Sequence, residues 1–431
     1  MSGSGSVRAA RRLAIAVLAV ALAVAPSACG RSFLGVGKTI EGVPEDSIAM
    51  NLVLIGDAGL PAPNGEEPVL KALRREISWD PKRTFVVFLG DNVYPHGLAD
   101  SSSVERAEGE RILRDQMAPL LETGTRGIMV PGNHDWDAGS PDGWRYIMRQ
   151  SRFVDANGRN IVRLVPSMGC PGPVTIDFGD YLRLVALDTE WWLQGAPPLK
   201  PYGPGAPCGA ATESEIVDSL RVTLATAGTR RTVVVAHHPL VSGGEHGGYF
   251  DWPTYLFPFH PWARLSGVFA RQDVSGREYR AMRTALERAF APNPPLVYAA
   301  GHEHNLQVFR RTQARFQLVS GAGIYNHTTA VRAITGTLYT RRASGYMRLT
   351  ILTDGRVRLS VQVVDDKGEA TEDYSAWLET RRIDRAVPVV PGAAEQPAPA
   401  PASTPMPAPA PAPAPPSPPS PFSLWPADEP G

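Results

Sequence analysis

Five short apolar runs in this chain end alike, in a loop whose first residues include one able to hold a metal. Leu52-Val53-Leu54-Ile55 runs into Gly56-Asp57, and residues 84–89 run into Gly90-Asp91-Asn92-Val93-Tyr94. Residues 127–130 lead to Pro131-Gly132-Asn133-His134-Asp135, and 232–236 to His237-His238-Pro239. The fifth run, 296–300, opens into Gly301-His302-Glu303-His304-Asn305-Leu306-Gln307. Runs of β-branched and apolar residues bounded by turn residues read as buried strands. Between the first three lie two helical stretches, 66–77 with Leu70, Leu73 and Ile77 on one stripe, and 101–121. That order points to an α/β sheet with functional loops at the strand ends. Further on, residues 181–187 read as a strand, and Thr212-Glu213-Ser214-Glu215 has the form of a capping box. Ile216, Leu220 and Leu224 continue that helix, which Gly228 is placed to end. Strands near 316–319, 346–351 and 357–363 follow, the last two joined through Gly355 as an antiparallel hairpin.

The two ends of the chain are of another kind. Arg8, Arg11 and Arg12 precede an apolar run at 13–25 and then small residues up to Cys29. This is the layout of a secretory leader, and the run is too short for a comfortable membrane span. Pro26-Ser27-Ala28-Cys29 resembles a bacterial lipoprotein box, which would leave a lipid on Cys29; Ala23-Val24-Ala25 offers an ordinary cleavage site instead. Both place the protein outside the cytoplasm, in the cell envelope, periplasm or medium. From about residue 388 proline and alanine dominate, which excludes a packed core and implies an extended, solvated tail. The expected layout is therefore a leader at 1–28, a tether at 29–48, one domain at 49–387 and a tail at 388–431. Basic and acidic residues number 43 each, and 1–28 holds three arginines and no acid, so the remainder carries a net charge of −3. Such a balance gives no reason to expect nucleic acid as a partner. In an oxidising compartment Cys170 and Cys208 are expected to form a disulfide.

The donors at the five strand ends are Asp57; Asp91 and Tyr94; Asn133 and His134; His237; His302 and His304. One Gly-Asp turn after a strand is ordinary turn chemistry, but five such junctions are not explained by turns. Residues two apart in an extended segment face the same side, so His302 and His304 are expected to aim at one spot. Paired imidazoles are natural ligands for transition metals.

The ordered set Gly-Asp, Gly-Asp-Asn-x-Tyr, Gly-Asn-His-Asp, His-x-Pro and Gly-His-x-His resembles the calcineurin-like metallophosphatase superfamily. Tyr94, three residues after Asp91, narrows the resemblance to the purple acid phosphatases. Their small single-domain branch is suggested by His246, nine residues after His237, and by Ser320-Gly321-Ala322-Gly323 following the His302 stretch. The likeness spans about residues 50–375. It implies an α/β four-layer sandwich, two central mixed β-sheets flanked by helices. It also implies two metals bridged by Asp91, with Asp57, Tyr94 and His304 on the first and Asn133, His237 and His302 on the second. Carboxylate and phenolate oxygens suit Fe(III) at the first position; an amide oxygen and two imidazoles suit Fe(II), Zn(II) or Mn(II) at the second. His134 and His246 would serve the phosphate and the leaving group, Asp135 orienting His134, while His238 fills the space beside His237.

The activity so implied is hydrolysis of phosphomonoesters by in-line attack of metal-bound hydroxide, with an acid-leaning optimum. Two other readings share the ligands: a phosphodiesterase or nucleotide hydrolase, and a non-catalytic metal-binding envelope protein. An intact His134 speaks against the last. The chain departs from the family at Ala58 and Leu60, where an aromatic residue and a glycine pair are usual. The aromatic stretch 249–262 reads as a lid beside the site, as a packed loop or as a docking patch, and Trp191-Trp192 is a candidate to join it. His96 is assigned no role.

Overall fold

The computed structural model describes residues 40–63, 66–194, 208–210, 212–250 and 271–383. The leader, the start of the tether, residues 251–262 of the aromatic stretch and the Pro/Ala tail lie outside the described residues.

Two mixed sheets of seven strands form the centre. In the first, β1 (Ile48–Ile55), β2 (Thr84–Phe88), β3 (Arg126–Met129) and β4 (Val162–Leu164) run parallel. Beyond β1 the sheet continues antiparallel through β12 (Gly345–Leu352), β13 (Val357–Val364) and β14 (Ala370–Glu379). In the second, β6 (Leu182–Ala186), β7 (Arg231–Val235), β8 (Val297–Ala300) and β10 (Phe316–Ser320) are parallel. Antiparallel β5 (Val174–Phe178) flanks β6; at the other side β9 (Leu306–Arg310) pairs antiparallel with β10, and β11 (Thr337–Arg341) pairs antiparallel with β9 at the edge.

The period of two along each strand sorts the apolar side chains into layers. Leu52, Leu54, Phe85, Val87, Val233, Val235, Val297 and Ala299 fill the space between the sheets. Their neighbours Val53, Ile55, Val86 and Phe88 face outward, under α1 (Pro68–Trp79), α2 (Arg106–Thr123) and α3 (Gly143–Asn157). On the far side Val185, Val234 and Tyr298 pack with α4 (Glu190–Leu193), α5 (Glu213–Ala225) and α6 (Arg277–Phe290). Helices, sheet, sheet and helices make the four layers that the family resemblance implied. A slip of one residue in any central strand would exchange its two faces, so the register is strongly held.

The differences from expectation have local causes. Helix α2 starts at Arg106, not 101, because the Asp100 carboxylate accepts from Ser102 N at 3.2 Å and Ser102 Oγ at 2.9 Å. Such side-chain bonds hold a turn in place of helix. The capping box at α5 is closed in both directions, Glu215 N donating to Thr212 Oγ1 and Thr212 N to Glu215 Oε2. That helix ends at Ala225, three residues short of Gly228. Trp191 and Trp192 are buried in α4, edge to face at 5.4 Å, within the core shared with α5 and α6. Cys170 and Cys208 are disulfide-bonded, with Cα atoms 5.3 Å apart. Among the described residues no helix is long and apolar enough to cross a membrane.

Candidate metal centre

The loops after β1, β2, β3, β7 and β8 leave the two sheets at one common edge, and backbone bonds sew them together. Gly56 N donates to Ser320 O at 2.7 Å, Asp57 N to Gly90 O at 3.0 Å, and Gly301 N to His237 O at 3.0 Å. Glycine is needed where the approach is closest. A Cβ on Gly132 would lie 2.3 Å from Asp91 Oδ1, and one on Gly301 2.6 Å from Asp57 Oδ2. Asp57, Asp91 and His302 all have left-handed backbone, at φ of 57°, 53° and 72°. Non-glycine residues held there store strain and gather at functional sites.

The seven side chains named from the sequence meet at this edge in two clusters. In one, the Tyr94 hydroxyl stands 3.0 Å from each of Asp57 Oδ1, Asp91 Oδ2 and His304 Nε2. In the other, Asn133 Oδ1 lies 3.0 Å from His237 Nε2 and 3.1 Å from His302 Nδ1, and the two nitrogens are 3.2 Å apart. Asp91 Oδ2 belongs to both, being also 3.4 Å from His237 Nε2. His302 and His304 do not aim at one spot: with His302 in the left-handed region the segment is not extended there, and each ring serves a different cluster.

The protons of the second cluster are accounted for elsewhere. His237 Nδ1–H donates to Leu89 O at 2.8 Å, and His302 Nε2–H to Gln272 O at 3.0 Å. In their neutral form rings so held turn lone pairs toward the Asn133 oxygen, and three acceptors stand in mutual contact unless a proton or a cation lies between them. Crowded acceptors are costly in a buried site, and a bound cation removes the cost. The first cluster makes the same point, since one phenolic proton cannot serve two carboxylates and an imidazole. The residues therefore fit two cations, the harder oxygen-rich set beside Tyr94 and the amide–imidazole set beside Asn133. His238 also lies close to His237 and His302. Both its nitrogens are engaged, however, Nδ1 with Thr189 Oγ1 and Nε2 with Gln272 Oε1, each at 2.8 Å.

The electrostatics agree. Burial opposes charge on His237, yet Asp91 pushes it up to about 10. Burial would likewise raise Asp91, but His237 and His134 hold it well below the usual carboxylate range. Burial and then the charges of Asp57 and Asp91 push the Tyr94 phenol well up. Positive charge is what this floor lacks, and a cation would draw the phenol toward phenolate.

Around the floor stand two further histidines, His134 and His246. His134 Nδ1–H donates to Pro95 O at 2.7 Å, which leaves Nε2 facing the site, 4.0 Å from Asp91 Oδ2. Asp135 does not orient it. That carboxylate is fully buried and accepts from Asn92 N, Val93 N, Gly132 N, Asn92 Nδ2 and Gln150 Nε2. His246 stacks on His302 with ring centroids 4.0 Å apart, its Nδ1 3.3 Å from Asp273 Oδ1. His96 pairs with Asp137 at 3.0 Å. Three participants had no sequence signal. Gln272 and Asp273 follow no motif, and His327, whose ring lies 4.4 Å from that of His304, was passed over in the loop after β10.

The sequence model of the calcineurin-like phosphoesterase family matches residues 50–306. No curated protein matches the chain in sequence. Among solved structures, one described as GAP50, the anchor in the inner membrane complex of Plasmodium, is 16% identical with a TM-score of 0.48, covering 78% of this chain and 90% of that one. Purple acid phosphatase PPD1 from yellow lupin (Lupinus luteus) seeds is 16% identical with a TM-score of 0.46, covering 77% of this chain and 54% of that one. Likenesses of this size say nothing of activity or partners.

Proposed function

The chain belongs to the calcineurin-like phosphoesterase family and is a metal-dependent phosphoester hydrolase; from that premise we propose that it is an exported phosphomonoesterase of the purple acid phosphatase kind. The observation that carries the reading is the double cluster sharing Asp91, with Tyr94 on one side and Asn133 on the other. On this reading Asp57, Asp91, Tyr94 and His304 hold Fe(III), and Asp91, Asn133, His237 and His302 hold Fe(II), Zn(II) or Mn(II). Held by these residues, such a pair would supply Lewis acidity toward a phosphate oxygen and lower the pKa of bound water.

The chain's own residues do the rest. Asp91 receives His134 N on Oδ1 at 2.9 Å, which keeps Oδ2 turned to both clusters. His134, anchored through Nδ1, presents Nε2 to the leaving oxygen and holds the proton delivered there. His246 covers the His302 side, where its ring adds a second donor to the phosphate. Export is supported by the basic and apolar N-terminal pattern and by the Cys170–Cys208 disulfide, which needs an oxidising compartment.

The test is hydrolysis of p-nitrophenyl phosphate beside its bis-ester, with metal analysis and an absorption spectrum. The purified protein should contain two metals, one of them iron, and show a phenolate-to-iron band that Tyr94→Phe abolishes. His134→Ala should keep the metals and lose about 10²-fold or more in kcat. Full activity in that variant removes the mechanism. Faster cleavage of the bis-ester makes the protein a diesterase, and no activity on either ester leaves a metal-binding protein.

A further inference from the structure

The stretch that carries His302 and His304 has a second face that the metal reading leaves unused. Glu303, Asn305 and Gln307 are buried, none more than 1% exposed. The polar atoms of Glu303 and Gln307 converge on the loop Ser242-Gly243-Gly244-Glu245-His246-Gly247-Gly248. Glu303 Oε1 accepts from Ser242 Oγ at 2.5 Å and from Gly247 N at 3.2 Å. Gln307 Oε1 accepts from Gly243 N at 2.8 Å, while its Nε2 donates to Ser242 Oγ at 3.3 Å and to Asn305 Oδ1 at 2.7 Å. Ser242 Oγ in turn accepts from Gly244 N at 2.8 Å. The amides of residues 243, 244 and 247 are thus all held, directly or through Ser242, by the stretch 303–307 that also carries His304 and adjoins His302.

The composition of the loop makes these bonds decisive. Four glycines in seven residues supply no apolar side chain to pack and carry a large conformational entropy. Such a segment keeps one place only where hydrogen bonds fix it. The fit at Gly244 is correspondingly close, since a Cβ there would lie 2.2 Å from Glu303 Oε2. That oxygen is buried and has no bonding partner among the described residues. A buried carboxylate with an unused oxygen is expensive, and the fold retains it beside two metal ligands. What the loop delivers is His246, stacked at 4.0 Å on His302. Its far side is tied by Val274 N to His246 O at 3.0 Å and by Asp273 to Nδ1.

We propose that Glu303, backed by Gln307, is a positioning residue that registers His246 against the metal centre, so that one turn places both the ligands and the substrate-facing imidazole. This rests on His246 facing the substrate. Activity should fall when the tie is cut although the metals stay, because a misplaced catalytic group about 1 Å from its proper position costs roughly 10²-fold.

The experiment is a double-mutant cycle on the metal-loaded protein with p-nitrophenyl phosphate, using Glu303→Ala, His246→Ala and the pair, with metal content and hydrogen exchange at the 243, 244 and 247 amides. Glu303→Ala should lose about 10- to 100-fold in kcat with both metals retained and those amides deprotected, and the double variant should be no slower than His246→Ala. Glu303→Gln, which keeps an oxygen for Ser242 and Gly247, should recover most of the rate. Gly244→Ala, which crowds the same carboxylate, should repeat the loss. Losses that multiply in the double variant, unchanged exchange, or metal lost in both Glu303 variants would overturn the proposal. If His246→Ala is slow and Glu303→Ala is not, only the positioning role falls. If His246→Ala is as fast as wild type, the role given to His246 falls and this one with it.

Discussion

At Asp135 five donors meet on one buried carboxylate, and through Asn92 and Gly132 they fix the loops that bear Asp91 and Asn133. Truncation would strand several buried N–H groups, each costing about 1–3 kcal/mol. Asp135→Ala is therefore expected to lose at least about 3 kcal/mol and to bind metal more weakly, read by denaturant unfolding and metal analysis. A variant with wild-type stability and occupancy would show that the loops hold without it. The residue also marks a limit of sequence reading. Aspartate, asparagine, tyrosine and histidine at strand ends could be named because residue type and location together announce the chemistry. Asp135 looked like a partner for His134 because it is adjacent, but the chain coils there into a tight six-residue 3-10 stretch, His134–Gly139, that sends neighbours to different sides. Gln272 and Asp273 were illegible for another reason: their partners His302, His238 and His246 are brought to them only by the fold.

Among the elements, the central strands were readable because they are buried on both faces and so carry continuous apolar runs, as at Phe85–Phe88 and Val233–Val235. The four strands at sheet edges, β4, β5, β11 and β14, gave no such run. In Ala370–Glu379 only Ser375, Leu378 and Glu379 are fully covered, so charge and apolar residues mix, as edges require. Helix α6 did carry a signal, with Tyr279, Met282, Leu286 and Phe290 on one buried stripe. The disulfide was foreseeable from the count of cysteines. It ties the chain before β5 to the chain before α5 across 38 residues. Replacing Cys170 and Cys208 together by serine is expected to cost about 3–4 kcal/mol through the freed unfolded chain. Guanidinium titration of the oxidised protein and the variant measures it, and coincident midpoints would contradict it.

For the molecule as a whole, the interior around the site holds more acid than it can comfortably ionise. Burial pushes Asp188, ordinarily at 3.8, up to about 8, and burial with the nearby Asp188 charge does the same for Glu190, despite the Gln272 bond. The folded state keeps these protons where the unfolded chain has released them, so the contribution of these two carboxyls to stability should fall as pH rises from about 4 to about 8. Across that range the melting temperature of the wild type should lose ground to that of Asp188→Asn, whose amide oxygen can still accept from Trp136. Parallel profiles would show that Asp188 ionises without penalty. The placement of the donors has a last consequence. Asp57, Asp91, Tyr94 and Asn133 depart from one sheet, and His237, His302 and His304 from the other. No contiguous piece shorter than the span from 57 to 304 contains the complete set, so a growing or threaded chain has nothing with which to grip the full pair of ions. Loading must wait until the halves have closed on each other, and the metals acquired are those in supply where closure happens. For a chain that crosses a membrane unfolded, the choice of ion belongs to the far side.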